Sequence, residues 1–251
     1  MNKTALITGG AQRIGAAIAT ALHAKGYTIF LHYGNSEQAA NDLMQTLNNS
    51  RENSCFIFSA DLAQPVAVQS IVSWVLDHTP SLDILINNAS LFYPTPWQQA
   101  DDQQWAQLFT INCQAPFFLI QALLPLLKGK AEGEKENNNK GQVINLIDIH
   151  VERGLEQHPI YCASKAALKS LTLSLAKDLK GQVRCNGISP GAILWPEFET
   201  NIEEQKEILK KIPLGQLGDV KNIVQTVQFL IENTYINGQI INVDGGRTLH
   251  S

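Results

Sequence analysis

The sequence predicts an α/β fold with one parallel sheet and helices on both of its faces. Three observations carry that prediction. Short apolar, β-branched runs alternate with amphipathic segments along the whole chain. A glycine-rich turn separates the first such run from the first amphipathic segment. No linker divides the 251 residues, so a single domain spanning 1–251 is expected.

In chain order, strands are expected at residues 4–8, 28–32, 55–59, 84–87, 142–146, 183–188 and 240–243. Helices are expected at 14–25, 36–47, 66–76, 104–127, 163–179 and 220–231. Runs such as Ala5-Leu6-Ile7 and Ile84-Leu85-Ile86 are apolar at successive positions, which fits strands buried on both faces. The charged, asparagine-rich patch at 129–141 reads as a solvated loop between a helix and a strand.

Composition narrows the partners. An apolar content of 44% supports a sizeable core, and 17% charged residues argues against disorder. A net charge of −4 and a pI near 5.9 point away from nucleic acid or an anionic membrane as the main partner. No leader or membrane-length apolar stretch is read. Cys55, Cys113, Cys162 and Cys185 are scattered without paired spacing. They read as buried or half-buried thiols, not a disulfide framework or a metal site, so a reducing, cytoplasmic compartment is expected.

The run Thr8-Gly9-Gly10-Ala11-Gln12-Arg13-Ile14-Gly15 follows the first strand and opens the first helix. Glycines there let backbone approach a phosphate, and the helix N-terminus favours its negative charge. This is the mark of a Rossmann-type, doubly wound dinucleotide-binding sheet. The second strand ends His32-Tyr33-Gly34-Asn35-Ser36, without the acid that usually holds a ribose 2′-hydroxyl. Arg13 offers a guanidinium suited to a 2′-phosphate, with His32, Asn35 and Ser36 as further donors, so NADPH is favoured over NADH.

Tyr161 and Lys165 stand four apart, one helical turn, on a shared face. A nearby ammonium is expected to lower the phenol pKa and make Tyr161 a usable proton donor. Asp148 precedes Tyr161 by thirteen residues, at the end of an apolar run. The plainer reading of Asp148 is a helix cap or loop residue.

In order along the chain, the glycine turn, Asp61-Leu62, Asn88-Ala89, Asn112, Tyr161 with Lys165, and Ser189-Pro190-Gly191 resemble the short-chain dehydrogenases/reductases. His32-Tyr33, Arg13, the segment Asn88-Ala89-Ser90-Leu91-Phe92-Tyr93-Pro94-Thr95-Pro96 and the Asp148 to Tyr161 spacing are similar to the pteridine reductases of that family. The stretch from Pro190 through Ile193, Trp195, Pro196 and Glu197 looks like bacterial members. One departure is Asn35, where known pteridine reductases carry an arginine for the 2′-phosphate.

The resemblance implies reduction of a pterin or folate ring C=N bond with NADPH, in a homotetramer. The cofactor would lie against Gly9, Arg13, Ile14, Gly15, His32, Tyr33, Asn35, Ser36, Asp61, Leu62, Asn88, Ala89, Ser90, Pro190, Gly191 and Ile193. Tyr161 would give the proton, Asp148 would reload it, and Lys165 would hold the nicotinamide ribose. Asn112 would keep a relay water, Phe92 would stack on the flat pterin, Ser90 would bind its polar edge, and Trp195 would line the mouth. In the general family a serine stands at the place of Asp148, which argues against simple carbonyl reduction. A reductase of 3-oxoacyl thioesters is the rival enzyme reading. A dinucleotide-binding sensor without catalysis is the rival of another class. His23, His150 and His158 show no ligand spacing and read as surface or structural residues. Trp74, Trp97 and Trp105 read as packing residues at helical positions, and Cys162 as a small packing residue.

Overall fold

The computed structural model describes residues 3–128, 141–195 and 202–249. Among these the strands are β1 (Thr4–Ile7), β2 (Thr28–Tyr33), β3 (Cys55–Ser59), β4 (Ile84–Asn87), β5 (Gly141–Leu146), β6 (Val183–Pro190) and β7 (Ile240–Val243). They form one seven-stranded sheet in the order β3-β2-β1-β4-β5-β6-β7. Every pairing is parallel. This is the doubly wound Rossmann-type sheet that the sequence predicts.

The helices are α1 (Arg13–Ala24), α2 (Glu37–Ser50), α3 (Ala67–His78), α4 (Asp102–Phe109), α5 (Ala115–Leu127), α6 (His150–Arg153), α7 (Pro159–Asp178), α8 (Ile202–Lys210) and α9 (Val220–Glu232). They cover both faces, because successive side chains of a strand point to opposite sides. Ala5, Ile7, Ile29, Leu31, Ile84, Ile86 and Ile144 pack with Ile18 and Leu22 of α1 and with Ile223 and Val227 of α9. Their neighbours Leu6, Phe30, Leu85 and Val143 pack on the other side with Ile71 of α3 and Leu119 and Leu123 of α5. The unbroken apolar strands follow from this double covering.

Some expectations need correction. The helix read at 104–127 begins at Asp102 and carries a π-helical turn at Thr110–Gln114. The segment Asp102–Leu127 is long and apolar enough to cross a membrane by length and composition. Its residues Leu119, Ile120, Leu123 and Leu127 are instead buried against the sheet, as in a core helix. Helix α8 was not expected from the sequence. Trp97 is 78% exposed in a turn, not packed on a helix. Trp74 does pack, stacked on Phe58 at 5.0 Å. Trp105 is half exposed and stacks on Phe109. Residues 129–140 of the stretch read as a loop at 129–141, and Pro196, Glu197, His250 and Ser251, lie outside the described residues, while Gly141 opens β5.

The strand order reverses beside β1: the chain winds out to β3, then returns to place β4 on the other side of β1. Ligands of such sheets sit outside the carboxyl ends of the strands at that reversal. Here the two strand ends are knitted together. Thr8 Oγ1 accepts from the backbone N–H groups of Asn88 and Ala89, each at 3.0 Å. Asn88 Nδ2 donates to the carbonyls of Thr8 at 3.0 Å and Gly9 at 2.8 Å.

Candidate active site

The glycine turn is built for close approach. Gly9 has φ +60°, and a Cβ there would stand 2.9 Å from Ala89 Cα. A Cβ on Gly15 would stand 2.4 Å from the Gly9 carbonyl oxygen. The turn delivers the chain to Arg13, the first residue of α1, itself at φ +52°. The result is a cleft of about 570 Å³ lined by Gly9, Arg13, Ile14, Gly15, His32, Asn35, Asp61, Leu62, Asn88, Ala89 and Ser90. It runs into a smaller pocket of about 220 Å³ lined by Asp148, Tyr161, Lys165, Pro190, Gly191 and Ile193. Arg13, Ile14, Asn88 and Ser90 border both. A narrow backbone cradle at a helix start, opening into a long cleft, fits a dinucleotide.

Several predicted cofactor residues take other parts. His32 is buried, and both ring nitrogens are engaged. The Gly9 N–H donates to Nδ1 at 3.3 Å, and Nε2 lies 2.8 Å from the Ala60 carbonyl. An N–H only donates and a carbonyl only accepts, so Nε2 carries the ring hydrogen. Burial lowers the His32 pKa, in keeping with a neutral ring. His32 therefore shapes the glycine turn and has no nitrogen left for a phosphate. Tyr33 is buried, and neither it nor Ser36 lines the cleft. Ser36 donates to Gln12 Oε1 at 3.2 Å. Arg13 Nη2 donates to the Trp195 carbonyl at 3.4 Å, tying the glycine turn to the loop after β6. Asp61 turns its carboxylate onto the Ala63 N–H at 2.9 Å and Gln64 Nε2 at 3.2 Å. These bonds, the Ala63 N–H first, hold its pKa below the usual range.

Helix α7 starts at Pro159, a residue well suited to a first helical position. Its buried stripe includes Tyr161, Ser164, Lys165, Leu168 and Thr172. Tyr161 Oη donates to Asp148 Oδ2 at 2.7 Å, across the thirteen-residue spacing. Lys165 Nζ donates to the Leu146 carbonyl at 2.8 Å. Asp148 Oδ1 accepts from the His150 N–H at 2.8 Å and from His150 Nδ1 at 2.7 Å, two residues on. One carboxylate oxygen thus serves the start of α6, and the other meets Tyr161.

The electrostatics differ from the expectation for Tyr161. Burial, and then the Asp148 charge, raise its pKa well above 10, with a smaller opposing effect from the Ser90 hydroxyl. Burial first, and then the carboxylate partner, keep the phenol neutral, while Lys165 Nζ donates to the Leu146 carbonyl. Burial lowers the Lys165 pKa to about 8, with the Asp148 charge working against the shift. Asp148 lies below the usual carboxylate range: burial raises its pKa, but its bonds and attraction to His150 and its bond to Tyr161 outweigh that.

Asn112 sits in the π-helical turn, a device common at functional sites. Its Oδ1 accepts from the Leu91 N–H at 2.8 Å and Ser90 Oγ at 3.2 Å. Its Nδ2 donates to the Leu91 carbonyl at 2.9 Å and Ser164 Oγ at 3.0 Å. All four positions of the amide are filled by protein, so the side chain has none left for a relay water. Phe92 is 54% exposed and meets Tyr161 edge-on at 4.7 Å. One of its faces stacks on His158 at 4.6 Å. His158 and His150, read from the sequence as surface or structural, thus touch Phe92 and Asp148 respectively. His150 had a local signal, its position two residues after Asp148. His158 had none short of the fold.

This fold and site define an oxidoreductase of the short-chain type. A family model described as enoyl-(acyl carrier protein) reductase matches residues 9–248, and the chain belongs to the short-chain dehydrogenase/reductase family. Pteridine reductase 1 of Leishmania tarentolae is 35% identical, over 98% of this chain and 96% of that protein. The 3-oxoacyl-[acyl-carrier-protein] reductase FabG of Staphylococcus aureus is 30% identical, over 98% of each. A short-chain type dehydrogenase/reductase of Picea abies is 28% identical, over 98% of this chain and 92% of that protein.

Proposed function

We propose that this reductase is NADPH-dependent and reduces a ring C=N bond of a dihydropterin, with dihydrofolate as a second substrate. The observation that carries the reading is the Asp148 carboxylate bonded to Tyr161 at 2.7 Å. A carboxylate beside the proton donor repels the oxygen that gathers charge when a carbonyl is reduced. A ring nitrogen is more basic than a carbonyl oxygen and takes up its proton before or with the hydride, so less negative charge meets the carboxylate, and a carboxyl group next to the donor serves that step. The similarity to pteridine reductase 1 supports this reading.

Bound in the cleft, a reduced nicotinamide supplies the hydride for the substrate carbon. Tyr161 gives its hydroxyl proton to the ring nitrogen, and a proton taken up from solvent returns to the phenolate by way of the Asp148 carboxylate. Lys165 holds the ribose beside them. The exposed face of Phe92 takes the flat ring and, with Ser90, fixes its orientation. Trp195 borders the mouth. Arg13 and Asn35 take the 2′-phosphate, in place of the acid that an NAD enzyme sets at the end of β2. The chain acts as one catalytic domain over 1–251, in the cytoplasm, as a homotetramer. Exposed Trp105, Phe118 and Leu173 on α4, α5 and α7 support subunit contacts there.

The FabG similarity favours a second reading, 3-oxoacyl thioester reduction. Exchange of Asp148 for Ser separates the two. Asp148→Ser is expected to cut dihydropterin turnover at least about tenfold and to admit acetoacetyl thioester reduction. Unchanged pterin turnover with no thioester activity would overturn the role given to Asp148.

A further inference from the structure

His150 meets Asp148 through two bonds to the same oxygen. Its backbone N–H lies 2.8 Å from Oδ1, and its ring Nδ1 lies 2.7 Å from it. The other oxygen is thereby left to Tyr161. The imidazole is 14% exposed, close enough to solvent to exchange protons and buried enough to keep its geometry.

We propose that His150 is a positioning residue of this site: it holds Asp148 with one oxygen turned to Tyr161 and governs whether that carboxyl group carries a proton. The inference rests on the reading of Tyr161 as proton donor. An ionised Asp148 draws the phenol hydrogen toward itself and makes the phenol harder to ionise. A protonated Asp148 donates to the phenol oxygen instead and frees the phenol hydrogen for the substrate. The two states differ by one proton on the carboxyl group and by the direction of its bond with Tyr161.

The local charges make His150 the deciding neighbour. Burial acts on Asp148 more strongly than any other single influence and drives it toward the neutral acid. His150 opposes burial through its ring bond, its charge and its backbone N–H. The other ionisable groups that act on Asp148 come from different elements. Tyr161, Cys162 and Lys165 face it from α7. Arg247 faces it from the turn after β7, with Asp244 and Arg153 beside that guanidinium. Among these, His150 alone touches the oxygen that Tyr161 does not use.

The test is the pH profile of kcat for the wild type, His150→Asn and His150→Ala. Asn keeps a neutral donor near the Nδ1 position, and Ala keeps none. Removal of the imidazole is expected to move the limb owed to Asp148 upward by about one pH unit in the Ala variant and by less in the Asn variant. In an Asp148→Asn background the same His150 exchange is expected to move nothing. A limb at the wild-type pH in both variants would overturn the proposal, as would an equal shift in the Asp148→Asn background. Should the Ala variant fail to fold, the Asn variant carries the same outcomes. The profiles are run on whichever of dihydrobiopterin or acetoacetyl thioester the wild type turns over, because Tyr161 supplies the proton to either. Failure of the pterin reading then shows as silence of the wild type on dihydrobiopterin, separately from the behaviour of the limb.

Discussion

Replacing Lys165 by Met is expected to stabilise the cofactor-free protein at neutral pH while removing its turnover. Lys165 is 2% exposed, and burial lowers its pKa from the ordinary 10.5 to about 8. The unfolded chain holds that proton more tightly than the folded one, so the stability owed to this group is fully present above pH 10.5. It is lost as the pH falls toward 8 and stays lost below. At pH 7 the difference costs about 3 kcal/mol, at 1.36 kcal/mol per tenfold change in proton affinity. Met keeps a similar stem without the charge. It also loses the bond from Nζ to the Leu146 carbonyl, worth about 1–2 kcal/mol. The net gain is about 1–2 kcal/mol at pH 7, or roughly 2–8 °C in Tm for a chain of this size. Near pH 10 most of the penalty on the wild type has gone, and the lost bond leaves the variant level with it or below. Urea unfolding of both proteins at pH 7 and pH 10 reads this directly. A gap of the same size at both pH values would rule out the burial penalty assigned to Lys165.

Two further outcomes are expected. Gly15→Ala drives a Cβ to within 2.4 Å of the Gly9 carbonyl and 2.7 Å of Asn88 Nδ2, so the turn must open. NADPH affinity, followed by quenching of tryptophan fluorescence, is expected to fall at least about tenfold, as a 1.4 kcal/mol loss gives. Phe92→Leu removes the aromatic face and is expected to raise KM for a dihydropterin roughly three- to tenfold, the worth of one ring stack, with a smaller change in kcat. An unchanged KM in steady-state assays counts against the stacking role.

The sheet was legible because its signals are local. Each strand is a short apolar run closed by a turn, and every expected strand is found within two residues of its bounds at either end. The break at Thr110–Gln114 was not, because a π-turn shifts the helical face by one residue without changing composition. Helix α8 was missed because Ile202–Lys210 is mostly charged, with few apolar positions to mark a period. At the site, the bond between Tyr161 and Asp148 follows the spacing that singled the pair out. The part of His32 depends on Ala60 and Gly9, brought to it only by the pairing of three strands. The Tyr161 pKa moved against expectation because spacing along a helix shows neither the burial of the phenol, the larger cause, nor which partner the ammonium takes. Lys165 turned to a strand carbonyl, and the phenol met the carboxylate.

Reduction of a pterin with NADPH in this cleft is so far a proposal. Its most direct test is NADPH oxidation by the wild-type protein with dihydrobiopterin, dihydromonapterin and dihydrofolate offered beside an acetoacetyl thioester. Turnover of at least one pterin, silence on the thioester and weaker activity with NADH are expected. Turnover of the thioester alone would contradict the proposal and leave a carbonyl reductase of the same family.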